Sequence, residues 1–299
     1  METVLLAGAS GTLGKHVARE LKAKGYSVRA LTRSSSRLES IQGLYDSHAI
    51  GDLMTAEISP EAFEGVDVII SCVGASLDLL KFSDRASFYE VDFQANCNFL
   101  NAALKSKGFA RIKKFVYVSF YFVQGLEKTE YFDAHERFVQ TLKESGLPHT
   151  IIRPTAFFSL LLLFLQFAEK GLGAVIGSGK PRINPIHEKD VARAIVQGIA
   201  SQEASLDVGG PEVFSRDQIT ELALRATGRS SRLLRIPIVL ERFFVTLLRP
   251  FNKRIYQFMK FATVAHTIDI IAPAYGVNRL EDYFAEYHAR VSSSQKAGT

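Results

Sequence analysis

The clearest chemistry in the chain stands near its start. Gly8-Ala9-Ser10-Gly11-Thr12-Leu13-Gly14 spaces three glycines as GxxGxxG, directly after the apolar run Thr3 to Ala7 and before a helical pattern. At a strand-to-helix turn this spacing suits a dinucleotide pyrophosphate. Gly8 permits the tight turn, Gly11 lets the backbone approach the phosphates, and Gly14 lets the helix pack on the sheet. The free N–H groups and positive dipole of the helix N-terminus then face the anion. The second strand ends Thr32-Arg33-Ser34-Ser35-Ser36-Arg37, with no acid for a free ribose 2′-hydroxyl. Arg33, Ser34 and Arg37 suit a 2′-phosphate through charge-assisted hydrogen bonds, so the expected cofactor is NADP(H). Asp52-Leu53 follow the third strand, where Asp52 can meet the adenine amine or serve as a turn aspartate.

These residues need a scaffold of alternating strands and helices, and the hydrophobic pattern supplies one. Helical periodicity runs from Thr12 to Lys24, from Asp84 to Lys107 and from Tyr131 to Ser145, the last closed by Gly146 and Pro148. Strands are expected at Ser27 to Thr32, His48 to Ile50, Val66 to Val73, Phe115 to Ser119 and His149 to Arg153. The alternation predicts an α/β fold, a doubly wound Rossmann parallel sheet with a smaller, mainly helical C-terminal substrate domain. We divide the chain into a Rossmann core at 1–154 and a substrate and lid region at 155–299, with 187–210 returning to the sheet. In the second part we expect a buried apolar helix from Phe157 to Glu169, a loop from Gly171 to Pro185 and a helix from Glu188 to Ala200. A strand at Leu206 to Val208 and a helix from Asp217 to Thr227 follow. Ser215 and Gln218 form a capping box for that helix. The tail from Ser292 to Thr299 reads as disordered.

The chain has 299 residues, 47% hydrophobic and 22% charged, the balance of a globular protein able to bury a large core. Cys72 and Cys97 are the only cysteines, with neither a disulfide framework nor a zinc-site spacing, and a reducing cytoplasmic setting is expected. The net charge of +5 is compatible with a phosphate-rich cofactor, but no nucleic-acid-binding signature accompanies it. The start METVLLAGAS lacks the pattern of a signal peptide.

Four segments together resemble the atypical branch of the short-chain dehydrogenase/reductase superfamily, the NmrA-like NAD(P)H-binding proteins. They are the glycine motif; Phe115-Val116-Tyr117-Val118-Ser119; Ser145-Gly146-Leu147-Pro148-His149-Thr150-Ile151-Ile152-Arg153-Pro154; and Asn184-Pro185-Ile186-His187-Glu188-Lys189-Asp190-Val191-Ala192. The resemblance runs from about residue 3 to about residue 228 and fades after Arg229. It implies that Val73 and Gly74 line the cofactor path and that Pro154 and the residues after it face the nicotinamide. It also implies a catalytic serine, tyrosine and lysine, the lysine four residues after the tyrosine. Ser119 and Tyr131 match the first two, while the lysine position holds His135. A histidine of ordinary pKa about 6.5 is mostly neutral at pH 7 and tunes a tyrosine less than a permanent cation does. Tyr121 is a second candidate proton donor. His187 reads as structural, tying its loop to the next helix.

Thr155 to Phe167 is apolar on every side, and so either packs against the sheet or walls a pocket for a large apolar substrate. From Val239 to Val264, Phe243, Phe244, Leu247, Leu248, Phe251, Tyr256, Phe258 and Phe261 interleave with Arg242, Arg249, Lys253, Arg254 and Lys260, and Pro250 interrupts the pattern. This stretch reads as a lid, with peripheral membrane contact as the alternative. The expected function is NADP(H)-dependent reduction of an apolar small molecule by Tyr131, Ser119 and His135. The alternatives are a non-catalytic NADP(H)-binding redox sensor or complex subunit, and a membrane-surface scaffold.

Overall fold

A computed structural model describes residues 1–76 and 85–297. The order of elements is β1 (Thr3–Ala7), α1 (Thr12–Ala23), β2 (Ser27–Thr32), α2 (Ser36–Glu39), β3 (Ser47–Asp52), β4 (Glu57–Ile58), β5 (Val68–Ser71), α3 (Ala95–Lys105), β6 (Lys114–Val118), α4 (Glu130–Glu144) and β7 (His149–Pro154). Then come α5 (Leu162–Glu169), β8 (Ala174–Ile176), β9 (Arg182–Ile183), α6 (Glu188–Ala200), β10 (Ser205–Val208), β11 (Phe214–Ser215), α7 (Arg216–Ala226), β12 (Leu234–Ile236), α8 (Ile238–Leu248), α9 (Lys253–Ala265) and α10 (Leu280–Ala297).

Eight strands form one sheet in the order β10-β7-β6-β5-β1-β2-β3-β4. All pairings are parallel except that of the two-residue edge strand β4 with β3. The chain winds one way from β1 through β2 to β3, and the other way from β5 through β6 and β7 to β10. This doubly wound Rossmann arrangement places its topological switch point between β1 and β5, where the glycine loop lies.

The strands bury both faces because their side chains alternate. Val4, Leu6, Val28, Ala30, Val68, Ile70 and Val116 face α1 and α6, meeting Val17, Leu21, Val191 and Ile195. Leu5, Ala7, Leu31, Ile69, Phe115 and Tyr117 face α3 and α4, meeting Phe99, Leu100, Phe138 and Leu142. A third core joins the start of α4 to α5, α7, α9 and α10 through Tyr131, Phe132, Leu165, Leu222, Phe261 and Phe284. Gly146 ends α4 with φ +73°, as its position after the helix requires. Ser215 and Gln218 complete the expected capping box of α7.

The NPIH segment is a latch. Asn184 Nδ2 donates to the carbonyls of Gly210 (3.2 Å) and Ala272 (2.8 Å), and its Oδ1 accepts from the Ala272 N–H (3.1 Å). His187 caps α6, its Nδ1 accepting from the Lys189 N–H at 3.0 Å, which is the loop-to-helix tie expected for it. The buried Asp190 accepts from the N–H groups of Val277 and Asn278, both at 3.0 Å.

Several local expectations need correction. The helix predicted from Asp84 begins among residues outside the description. Its described part opens as a π-helical turn, Tyr89–Gln94, before α3. The stretch 171–185, read as a loop, contains β8 and β9, too short to show a period of two. The apolar run after Phe157 is a 3₁₀ turn followed by α5, and Leu163 and Phe167 on it are exposed. The tail is helical as far as Ala297, because α10 continues past its buried anchors Leu280 and Phe284. Among the described residues, no helix is long and apolar enough to cross a membrane.

Candidate functional site

Steric demands build the phosphate loop. Gly8 holds φ +80°, and a Cβ there would stand 2.7 Å from the Cys72 carbonyl oxygen at the end of β5. A Cβ on Gly14 would stand 2.1 Å from the carbonyl oxygen of Gly8. Neither contact is tolerable, so these two glycines allow α1 to start immediately beside β1. The Gly11 N–H closes the turn onto the Gly8 carbonyl at 3.0 Å. The first helical bond runs from Lys15 N–H to Gly11 O, and no side chain caps the helix. The N–H groups of Thr12, Leu13 and Gly14 are therefore left to an anion. Gly11 and Thr12 are exposed, while Ser10 and Leu13 are half-buried at the loop's edge. The cradle fits a dinucleotide pyrophosphate.

At the end of β2, Arg33 and Arg37 are exposed, and neither guanidinium has an ion-pair partner among the described residues. Ser34 is half-buried between them, its hydroxyl 3.0 Å from that of Ser36. Asp52 Oδ1 accepts from the Met54 N–H at 2.9 Å, forming the turn considered for it. The buried Leu53 passes its carbonyl to Asn98 Nδ2 at 2.7 Å.

The loop after β5 carries Val73 and Gly74 and is tied to the opposite wall. Asn96 Nδ2 donates to the Val73 carbonyl at 3.3 Å, and Ser71 Oγ donates to Asn96 Oδ1 at 2.5 Å. Asp92 Oδ1 accepts from the Ala75 N–H at 3.1 Å. Sequence reasoning missed Asp92 and Asn96. The available signal was two polar residues four apart on the face of a helix that turns toward the sheet.

Asp92 opens a buried polar cluster. Its Oδ1 lies 3.4 Å from His135 Nε2, and His135 Nδ1 lies 2.7 Å from the Tyr117 hydroxyl. The Tyr131 ring packs edge-on to His135 at 4.8 Å, inside a cage of Phe88, Phe120 and Phe261. Tyr131 and His135 thus come together, but the hydrogen bond of His135 goes to Tyr117. Ser119 stands apart from that bond. Its hydroxyl donates weakly to Glu136 Oε1 at 3.4 Å, and Glu136 is paired with Arg153 at 2.7 Å. Pro154, at the end of β7, is buried and accepts from the Tyr121 N–H at 2.9 Å. Tyr121 is half-buried against the third core.

An ion pair would raise the His135 pKa and lower that of Asp92, but both move the other way. Burial pushes Asp92 up from 3.8 to about 7, against the pull of the Ala75 N–H and Arg254. Burial, helped by Arg153, pushes His135 down from 6.5 to about 3. Desolvation outweighs mutual attraction, so both groups are neutral through the mildly acidic range. Burial, with the Asp92 charge adding to it, also raises the Tyr131 phenol well above its usual value. His135 therefore supplies no positive charge that would acidify Tyr131.

These shifts predict opposing pH dependences of stability. The folded state keeps a proton on Asp92 that the unfolded chain releases, so stability falls as pH rises from 3.8 to about 7. The folded state refuses a proton at His135 that the unfolded chain takes up, so stability falls as pH drops from 6.5 toward 3. Over the shared range the two slopes oppose each other. Relative to the wild-type profile, His135→Gln is expected to remove the fall on acidification that this histidine contributes, and Asp92→Asn to remove the fall on rising toward pH 7, each by a few kcal/mol at about 1.4 kcal/mol per pKa unit. Calorimetric melting at closely spaced pH values checks this. Variant profiles parallel to the wild-type profile would refute the assignment.

Residues 8–202 match the family model described as NAD(P)H-binding. The chain is 25% identical to divinyl chlorophyllide a 8-vinyl-reductase, chloroplastic, of Arabidopsis thaliana, over 99% of this chain and 79% of the relative. It is 23% identical to Photosystem II assembly factor Ycf39 of Synechocystis, over 98% of this chain and 93% of the relative. Among solved structures, the NADPH complex of the NADPH-dependent quinone oxidoreductase QOR2 from Escherichia coli aligns with a TM-score of 0.72 and 16% identity, covering 95% of this chain and 99% of that one. That likeness establishes the fold.

Proposed function

Because the chain belongs to the NAD(P)H-binding family, in its atypical short-chain dehydrogenase/reductase branch, we propose that it is an NADP(H)-dependent reductase of an apolar small molecule. The observation that carries this reading is the glycine cradle with its three free helix N–H groups, flanked at the end of β2 by two arginines without an ion-pair partner among the described residues. When bound, the cofactor supplies a hydride. The chain's own residues do the rest. Thr12, Leu13 and Gly14 hold the pyrophosphate, Arg33, Ser34 and Arg37 select the 2′-phosphate, and the loop at Val73 and Gly74 borders the ribose. Phe88, Phe120 and Phe261 exclude water around Tyr131. With its pKa raised, Tyr131 keeps its proton at neutral pH and gives it only to a strong base, which is what hydride addition makes of the substrate. His135 positions the Tyr131 ring and contributes no charge. Ser119 reaches a substrate oxygen by leaving its weak bond to Glu136. The free thiols of Cys72 and Cys97 suit the reducing, cytoplasmic setting we assign to it.

One observation favours a second reading, a non-catalytic NADP(H)-binding sensor or complex subunit. Where the superfamily's lysine stands, His135 is neutral and bonded to Tyr117. The two readings separate in one experiment. The protein is titrated with NADPH, NADP⁺ and NADH, then given NADPH with a panel of apolar quinones, enones and vinyl compounds while nicotinamide absorbance is followed. Tight NADPH binding with substrate-dependent oxidation supports the reductase. Binding without turnover across the panel supports the sensor or subunit, and failure to bind any dinucleotide refutes both.

A further inference from the structure

The face of α8 turned away from the core is apolar and open. Val239 is 72% exposed, Phe243 59%, Phe244 57%, Leu247 50% and, just past the helix, Phe251 75%. At 100° per residue Val239, Phe243, Phe244 and Leu247 fall within an arc of about 140°, while Glu241, Val245 and Leu248 occupy the side turned toward the protein. Phe244, Leu247 and Phe251 also line an open, mainly apolar pocket of about 400 Å³, with Ile176, Ile236, Met259 and the buried Glu241 among its other walls. Single exposed apolar residues are ordinary, but a contiguous stripe of this size marks a contact surface.

The charge around the stripe identifies what it meets. Residues 229–268 carry eight arginines and lysines and a single acid, Glu241, which is buried. Their surplus of seven exceeds the +5 of the whole chain, so the remainder is net acidic. Arg242 and Arg249 lie along the flank of the apolar arc, exposed and without ion-pair partners among the described residues, and Lys260 follows on α9. A second copy docking through the same face would set these cations against each other. A surface with apolar depth and a layer of negative charge satisfies both features.

We propose that α8 lies in the plane of an anionic lipid surface. Phe243, Phe244, Leu247 and Phe251 enter the acyl boundary, and Arg242, Arg249 and Lys260 meet the headgroup phosphates. The contact is interfacial, since α8 has 11 residues and cannot span a bilayer. This inference is independent of whether the protein turns over a substrate.

The test uses the full chain with vesicles of phosphatidylcholine alone, or of phosphatidylcholine and phosphatidylglycerol in equal parts. Co-sedimentation is expected to be at least about tenfold stronger with the anionic vesicles and to weaken as salt rises. Phe243→Glu/Phe244→Glu should reduce it at least about tenfold, with an unchanged melting temperature. Arg242→Gln/Arg249→Gln should lower it on anionic vesicles only. Equal or absent sedimentation with the two vesicle types overturns the proposal, as does an unaffected phenylalanine variant. A lipid-free dimer abolished by Phe243→Glu/Phe244→Glu also overturns it and makes a second copy the occupant.

Discussion

Tyr131→Phe is expected to lower kcat by roughly 10²- to 10⁴-fold while KM stays within about twofold, the usual signature of removing a positioned proton donor. The substitution deletes one oxygen and keeps the ring, so the edge-on contacts with Phe88 at 5.2 Å and Phe261 at 4.7 Å survive and the cage remains closed. A fall in kcat then reports the lost proton and not a collapsed site. Because the Tyr131 pKa is raised by burial, its proton stays in place across the neutral range. The Tyr131 proton therefore gives the rate no titration near pH 7, and a decline there belongs to Asp92, whose charge reaches the phenol. Comparing the pH profile of kcat in wild type and Asp92→Asn separates these. A Tyr131→Phe protein with full turnover would move the proton donor to water or to Tyr121, and would reduce Tyr131 to a wall of the cage.

The parts of this site that were legible in the sequence are those fixed by neighbours a few residues away. Gly8 and Gly14 clash with backbone if given a Cβ, and that requirement is written in their spacing. Arg33 and Arg37 flank a single turn, and Ser215 with Gln218 caps a single helix. The continuous apolar run from Val66 to Val73 marked a strand covered on both faces. What was not legible comes from distant segments meeting. Asp92 reaches Ala75 across 17 positions through a π-helical turn that no pattern of 3.6 announces. Spacing correctly placed His135 one turn after Tyr131, but its partner, Tyr117, belongs to a strand. The Asn184 segment was recognisable as a motif, yet its latch to Ala272 spans 88 positions. The exposure of α8 was equally hidden, since an apolar basic helix reads the same whether it closes over a pocket or faces outward.

The cofactor preference admits a sharper test than the fold does. Arg33→Ala/Arg37→Ala is expected to weaken NADPH binding by about 10- to 100-fold and to leave NADH within about threefold of wild type. Hydrogen bonds to a charged group contribute about 1.5–3 kcal/mol when one partner is removed, and 1.4 kcal/mol is a factor of ten. The lower part of that range applies here, because both guanidiniums are exposed and water competes for the phosphate. Neither arginine has a carboxylate partner among the described residues, so the variant leaves no buried charge behind and should melt at the wild-type temperature. The NADPH affinity of the wild type should fall with salt more steeply than that of the variant, since the variant has lost the two charges that pair with the 2′-phosphate. Calorimetric titration of both proteins with both cofactors reads all of this at once. If the two cofactors bind the wild type equally, or if the double variant keeps its NADPH affinity, the arginines are a solvated surface turn, and the ribose must be read by Asp52 or by the hydroxyls of Ser34 to Ser36 instead.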